Sequence, residues 1–218
     1  MIKFKRLNIK TLLLVLLIVC IILSMTITQK EEAAFAQSST YTVVWGDSLW
    51  KIASKNEIGL AELIRANPQI SNPSLIFVGQ KIHIPVTAPL STIEDEVRRL
   101  VNVERAKYGL PALTYNWQVA RVARIKSQDM INNRYFSHTS PVYGSPFKML
   151  EDYNLKFSSA AENIAMGQRT AQEVMTSWMN SPGHRANILS RNITQIGVGA
   201  AKASNGTLYF TQLFIKPL

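Results

Sequence analysis

A short proline-bracketed segment divides this chain and limits what it can fold into. In Pro85-Val86-Thr87-Ala88-Pro89 two prolines enclose three residues, a composition typical of a stiff connector between domains. Residues 41–85 are too few to bury a large core, whereas residues 91–218 suffice for a domain of ordinary size. The sequence therefore predicts two folded units, at 41–85 and 91–218, joined by a linker at 86–90.

Residues 1–36 predict an export signal. Basic residues precede an almost unbroken apolar run over residues 12–23, and a polar stretch follows it. Ala34-Phe35-Ala36 supplies small residues at the two positions that a signal peptidase reads, so cleavage is predicted before Gln37. An uncleaved membrane anchor is the alternative, because the apolar run trails through Thr26 and Ile27 and its whole stretch is then only slightly shorter than the roughly 20 residues of a spanning helix. Cys20, the only cysteine, lies inside this run, so the exported protein would contain no thiol and no disulfide.

The charge of the chain favours anionic wall polymers over nucleic acid. Residues 37–218 keep 19 of the 24 Lys and Arg and 12 of the 14 Asp and Glu, which leaves a net charge of +7. A positive field of this size favours residence among anionic polymers of a cell wall. The basic residues are dispersed and form no run interleaved with aromatics, so we do not expect nucleic acid as a partner.

The first unit has a β-α-α-β pattern. A β-rich run at 41–45 is broken by Gly46-Asp47-Ser48, which can start a helix, and a second short helix follows at 60–67. Residues 81–84 alternate apolar and polar side chains up to Pro85, as a strand does.

The second unit has the pattern of an α+β domain. Ser91 and Glu94 have capping-box spacing at the start of a helix that Gly109 ends, and Asn116 precedes a second helix. Ser145-Pro146 opens a shorter helix. Alternating residues on both sides of Asn205-Gly206 predict a β-hairpin in which both turn residues can take positive φ. Helices followed by strands indicate a layered α+β fold.

The first unit resembles a LysM domain, through Gly46-Asp47-Ser48-Leu49-Trp50, Asn67-Pro68 and Val78-Gly79-Gln80. The resemblance implies a βααβ fold that binds N-acetylglucosamine glycans such as peptidoglycan or chitin, in a groove between the loop after the first strand and the loop before the last. Backbone polar groups and an apolar wall would suit the acetamido group. The residues expected to line this groove are Gly46, Asp47, Ser48, Leu49, Ile70, Leu75 and Ile76.

Three of these groove residues have a structural alternative. Leu49 and Ile76 could instead pack in the core, and Asp47 is expected to act at least partly as a helix N-cap. Trp45, at the end of the first strand, is expected to pack against the unit rather than to stack on a sugar.

The second unit resembles the CAP superfamily of SCP-like proteins. The resemblance runs through residues 101–111, Tyr135-Phe136-Ser137-His138, Ala161-Glu162-Asn163, residues 178–189 and Ile196-Gly197-Val198-Gly199. It implies an α-β-α sandwich with a solvent-facing cleft lined by two histidines and acidic residues, which in some members binds a divalent metal. On the matching positions, the cleft residues are His138, Glu162 and His184.

Zn²⁺ is the cofactor that this cleft suggests, with His138 and His184 as tentative ligands and Glu162 as a third. Ser181-Pro182 starts a helix and places His184 in its first turn, where the helix dipole disfavours the imidazolium form. Eukaryotic members carry a second cleft glutamate at the position of Ser181. The nearest substitute, Glu173, has capping-box spacing to Thr170 and is expected to be occupied at its own helix terminus. The alternative for both histidines is a purely structural hydrogen-bonding role.

Two functions follow from these resemblances. The favoured one is non-enzymatic: an exported protein that binds peptidoglycan through LysM and presents the CAP cleft to a ligand, metal or partner. The alternative is a hydrolase of envelope or spore-wall polymers or proteins, in which Glu162 activates a water molecule. The sequence contains no second well-placed acid and no Gly-x-Ser-x-Gly motif. Chains combining LysM and CAP resemble proteins of spore-forming Firmicutes, so envelope or spore-coat proteins are further candidate partners. Membrane contact is expected only through an uncleaved N-terminal segment.

Overall fold

The computed structural model describes residues 39–85 and 91–218. The predicted signal at 1–36 and the predicted linker at 86–90 lie outside the described residues. The chain separates into two compact units, with the division between residues 87 and 88, and each unit is considered by itself.

The first unit folds as the predicted βααβ module. Its elements are β1 (Ser39–Thr42), α1 (Leu49–Lys55), α2 (Leu60–Arg65) and β2 (Lys81–Ile84). The two strands pair antiparallel, with Tyr41 opposite Ile82. The helices cover this small sheet with apolar side chains, and the fully buried ones include Ile52, Leu63 and Ile82.

A single buried amide joins the second helix to the second strand. Asn67 donates from Nδ2 to the carbonyl oxygens of Leu63 and His83, each at 2.8 Å. Its Oδ1 accepts from the amide of His83 at 2.8 Å and from Gln69. Asn67 of the Asn67-Pro68 motif therefore has a structural role, because buried backbone groups need hydrogen-bond partners.

The second unit is built from five helices and four strands in the described residues. They are α3 (Ser91–Lys107), β3 (Thr114–Tyr115), α4 (Trp117–Asn132), α5 (Pro146–Asp152), β4 (Phe157–Met166), α6 (Ala171–Asn180), α7 (Pro182–Ile188), β5 (Gln195–Lys202) and β6 (Leu208–Pro217). The sheet order is β3-β5-β6-β4. β3 pairs parallel to β5, and the other pairs are antiparallel.

This sheet lies between two layers of helices, which confirms the predicted α-β-α sandwich. On one face, Phe210 and Phe214 of β6 pack with Trp178 of α6. On the other, Leu213 of the same strand packs with Val119 of α4. Successive residues of a strand point to opposite faces, so an almost wholly apolar β6 supplies both cores.

The structure gives Glu94 long-range partners and corrects one local prediction in this unit. The Glu94 carboxylate accepts from the Arg124 guanidinium at 2.7 and 2.9 Å and from the Ala200 amide at 2.8 Å. The pair with Arg124 is charge-assisted and links α3 to the next helix along the chain. In the hairpin only Gly206, not Asn205, has positive φ, and Ala203 N donates to Thr207 O at 2.9 Å. The connection is thus a three-residue loop rather than a two-residue turn.

Candidate functional site

Glu162 and His138 form a hydrogen-bonded pair at the edge of the sheet. Glu162 lies on β4, the edge strand, opposite Leu213, so both side chains are on the α4 face. His138 lies in the loop between α4 and α5, and its Nδ1 is 2.7 Å from Glu162 Oε1. The Glu162 side chain is 2% exposed, whereas that of His138 is 53% exposed. The other carboxylate oxygen, Oε2, is buried without a hydrogen-bond partner among the residues that the structure describes.

The backbone of His184 is held to the same strand by Asn163, whose side chain lies on the face of the sheet opposite to that of Glu162. Asn163, the residue after Glu162, lies opposite Gln212 and donates to its Oε1 at 2.9 Å and to the carbonyl of His184 at 3.1 Å. Asn187 of α7 donates to Glu162 O at 3.2 Å and to Asn163 Oδ1 at 2.9 Å. These amides hold α7 against β4, so Asn163 fixes the backbone beside Glu162.

The two histidines differ in their electrostatic environment. The hydrogen bond to Glu162 raises the pKa of His138, although partial burial opposes this. Burial lowers the pKa of His184, and the charge of His138 lowers it further. The direction of the His184 shift is the one that the sequence predicts, and burial is its larger cause.

A buried lysine that sequence reasoning missed holds the His138 loop. Lys126 of α4 is fully buried, and its Nζ donates to the carbonyl of His138 at 2.8 Å and to the Tyr135 hydroxyl at 3.0 Å. Asp129, one turn further on, accepts from Ser140 Oγ at 2.7 Å and from the Tyr135 hydroxyl. Lys126 lies on the same buried face of α4 as Val119, Val122, Ala123 and Met130, and a lysine at this spacing among apolar residues was the available signal.

Glu173 and Ser137 form hydrogen bonds with residues close to them in the chain. Glu173 accepts from Arg169 N at 2.8 Å, and its own amide donates to Thr170 Oγ1 at 3.1 Å, so its carboxylate is occupied at the start of α6 as predicted. Ser137 Oγ accepts from the amide of Thr139 at 3.3 Å.

The cleft as arranged does not fit a zinc ion with three protein ligands. Within residues 39–85 and 91–218, no group of three or more His, Cys, Asp or Glu side chains is placed to hold a metal ion. Two imidazoles alone fall short of the three protein ligands that catalytic zinc sites keep. The zinc hypothesis for His138 and His184 stays a prediction, which calorimetric titration of Zn²⁺ into wild type, His138→Ala and His184→Ala would test.

In the first unit, the predicted glycan loops are partly accessible. Asp47 is not the N-cap of α1: that role belongs to Ser48, whose Oγ accepts from Lys51 N at 3.2 Å. The Asp47 carboxylate instead accepts from Val44 N and from the Tyr41 hydroxyl, both at 2.9 Å. The hydrogen bond from Val44 lowers the pKa of Asp47.

The apolar residues of these loops divide between core and surface. Leu49 is buried in the core, as its core-packing alternative describes, and its place in the wall of a groove stays a prediction. Ile70 and Ile76 are half-buried, and Leu75 and Gly46 are exposed. Trp45 is 91% exposed, so the expectation that it packs against the unit is also wrong.

The geometry defines a class of protein: a three-layer α-β-α sandwich with a hydrogen-bonded histidine–glutamate pair at its edge strand, preceded by a small βααβ module. The family model of the Cysteine-rich secretory protein family, CAP, matches residues 98–214, and the LysM domain model matches residues 41–85. The chain therefore belongs to the CAP family and carries a LysM domain. None of the helices described is long and apolar enough to cross a membrane.

Relatives of the chain come from bacteria and a fungus. It is 45% identical over 138 residues to the uncharacterized protein YkwD of Bacillus subtilis, an alignment that covers 62% of this chain and 52% of YkwD. The LysM region is 51% identical over 47 residues to the secreted LysM effector ECP6 of Passalora fulva, covering 22% of this chain and 21% of ECP6. The chain thus spans about half the length of YkwD.

A solved structure supports the fold. It is that of an extracellular protein containing a SCP domain from Bacillus anthracis, with 30% identity and a TM-score of 0.54. The match covers 71% of this chain and 49% of that one.

Proposed function

We propose that this chain is an exported, wall-associated protein whose LysM domain binds N-acetylglucosamine-containing glycans of peptidoglycan. The match of residues 41–85 to the LysM model carries this proposal. The exposed loop residues around Gly46 and Leu75 support it, because a glycan needs accessible backbone groups and apolar surface. The positive charge of residues 37–218 favours retention among anionic wall polymers.

The CAP domain, in the same proposal, presents its cleft to a ligand or partner. The observation that carries this is Glu162 Oε2, a buried carboxylate oxygen with no partner among the described residues. A carboxylate oxygen left unsatisfied is costly, so a hydroxyl, amide or ammonium group of a ligand would gain a charge-assisted hydrogen bond there. His138, half exposed beside it, offers a second polar contact from the same pair.

A pull-down on insoluble peptidoglycan tests the tether. The protein with residues 41–85 should be retained, and the protein without them should stay in the supernatant. Equal retention of both would contradict the assignment of wall binding to LysM. The predicted location is the cell wall or, where the host sporulates, the spore envelope, with envelope or spore-coat proteins as further candidate partners.

Hydrolysis is the second candidate, and the same carboxylate favours it. A buried acid hydrogen-bonded to an imidazole could take a proton from a water molecule placed at Glu162 Oε2. The test is release of muropeptides from purified sacculi by the wild type and by Glu162→Ala. Release by the wild type that the substitution stops would establish catalysis, and no release by either protein would leave the binding role.

A further inference from the structure

Two β-turns in the LysM unit are built in the same way. They span residues 44–47 and 77–80, and in each the amide of the fourth residue donates to the carbonyl of the first: Asp47 N to Val44 O at 3.2 Å and Gln80 N to Phe77 O at 3.0 Å. The third residue of each is a glycine, with φ of +83° at Gly46 and +85° in the other turn. A positive φ at the third position is the signature of a type II turn.

The side chain of the fourth residue closes each turn. Asp47 Oδ2 accepts from Val44 N at 2.9 Å, and Gln80 Oε1 accepts from Phe77 N at 2.9 Å. Val43 joins the two turns, since its amide donates to Gln80 O at 2.9 Å and its carbonyl accepts from the amide of residue 79 at 2.9 Å. The turns therefore lie side by side, and both are held rigidly.

The first two residues of both turns are apolar and exposed. We call these four side chains, Val44, Trp45, Phe77 and Val78, the turn patch. Trp45 is 91% exposed, Phe77 62% and Val78 67%. The second position of a type II turn favours proline, so the turns themselves do not require tryptophan or valine there. Adjacent exposed apolar side chains of this size mark a binding surface.

We propose that the turn patch is an aromatic platform on which the pyranose rings of an N-acetylglucosamine-containing glycan strand stack. The proposal rests on glycan binding by the LysM unit and adds contacts for sugars beyond the one whose acetamido group the loops hold. The turn patch is continuous with those loops: Trp45 immediately precedes Gly46, and Phe77 immediately follows Ile76. A strand leaving the loops would pass over the two aromatic rings.

The chemistry of the turn patch fits a sugar polymer. The C–H faces of β-linked pyranoses are apolar, and Trp and Phe offer them large flat surfaces at little entropic cost when already fixed by their turns. Two exposed lysines are anchored at the same turns and strands: Lys51 Nζ donates to Gly46 O at 2.7 Å and Lys81 Nζ to Thr42 Oγ1 at 2.6 Å. These cations suit a glycan that bears carboxylates. Four side chains are too few for a stable dimer, which needs about 20–30 residues a side.

The experiment measures affinity for two lengths of one sugar. The protein, purified from an exporting host, is titrated calorimetrically with the dimer and the pentamer of β-1,4-linked N-acetylglucosamine. Trp45→Ala should weaken pentamer binding about tenfold, equivalent to about 1.4 kcal/mol, and Phe77→Ala about threefold. Dimer binding should change less than about twofold, because a dimer is held mainly by the loops.

Two variants serve as matched controls. Trp50→Ala removes another exposed tryptophan, 64% exposed and on α1 outside the turn patch, and should bind both sugars as the wild type does. Trp45→Phe keeps an aromatic ring and should restore most of the pentamer affinity. Because Trp45 is almost fully exposed, none of these substitutions should lower the melting temperature.

The outcomes separate this inference from the proposed function. If the wild type binds the pentamer and peptidoglycan while Trp45→Ala and Phe77→Ala bind as tightly as Trp50→Ala, the platform is refuted and LysM binding stands. If the wild type binds neither sugar nor peptidoglycan, both ideas fail. If Trp45→Ala loses sedimentation with phosphatidylglycerol vesicles or loses self-association, with glycan affinity unchanged, the turn patch serves lipid or a second copy, and the proposal is wrong.

Discussion

Helix α4 packs closely against strand β5 at two glycines, Gly197 and Gly199. Replacing one of them by alanine should lower the stability of the second unit. A Cβ added to Gly197 of β5 would lie 2.1 Å from Ala120 N, 2.3 Å from Val119 C and 2.6 Å from Ala120 Cα. Gly199 faces the next turn of α4 in the same way, with Arg124 N at 2.1 Å. The obstructing atoms are backbone, so no side-chain rotation can relieve the contact, and α4 itself must move.

The expected loss for Gly197→Ala is about 3 kcal/mol. Overpacking a core costs about 1–3 kcal/mol, and a clash with helix backbone belongs at the upper end. Residues 91–218 unfold with an entropy of about 0.27 kcal/mol/K, at about 2.1 cal/mol/K per residue, so the melting temperature should fall by about 11 °C. Ser127 Oγ donates to Gly199 O at 3.0 Å and so joins α4 to β5. This hydrogen bond opposes the movement of α4 that would relieve the clash.

Differential scanning calorimetry checks this value, and Gly183→Ala is its control. A Cβ added to Gly183 meets nothing within 4 Å, and its φ is not positive. Alanine there, in the first turn of α7, should leave stability unchanged or raise it by up to about 1 kcal/mol. If Gly197→Ala melts within about 2 °C of the wild type, or if both variants fall equally, the close-packing argument is wrong.

Three further predictions concern single polar side chains. Asn67→Ala should destabilise the LysM unit by about 2–3 kcal/mol, because it removes both hydrogen bonds between Asn67 and the backbone of His83. An unchanged calorimetric transition would contradict this. Glu162→Gln should lower the pKa of His138 toward about 6.5, measured by NMR titration. A histidine whose pKa is raised by folding adds stability that is complete below about pH 6.5 and is lost as the pH rises through the pKa of the folded state. The urea midpoints of Glu162→Gln and wild type should therefore differ more at about pH 5.5 than at about pH 8.5. The opposite trend would refute the pairing. Lys126→Met should cost about 2–3 kcal/mol in thermal unfolding, because the carbonyl of His138 loses its donor, whereas a neutral effect would show that the loop does not depend on it.

Local signals in the sequence predicted the elements whose causes are local. Asn116 accepts from the amides of Gln118 and Val119 as the cap of α4, and Thr170 caps α6. The hairpin strands followed from the alternation of apolar and polar residues. Each of these features depends on residues within about one turn or one strand of one another, and such contacts can be counted along a sequence.

The features that the sequence did not reveal depend on partners far away in the chain. Glu94 pairs with a residue 30 positions on and with an amide 106 positions on, which no capping pattern reveals. β4 was not predicted, because Phe157–Met166 contains many small and polar residues and places Glu162 and Asn163 on opposite faces of an edge strand. The exposure of Trp45 was missed for the same reason, since burial at a strand end is decided by what the rest of the unit covers.

Strand β4, which carries Glu162, has a low intrinsic preference for β structure, and side chains from other elements hold it in place. Asn163 on one face and Lys126 behind the other fix β4 and the His138 loop. The pKa values of the two histidines shift in opposite directions, so His138 keeps its proton to a higher pH than His184 does. Neither shift distinguishes a binding site from a catalytic one, so the sacculus assay with Glu162→Ala, and not the titration, separates binding from catalysis.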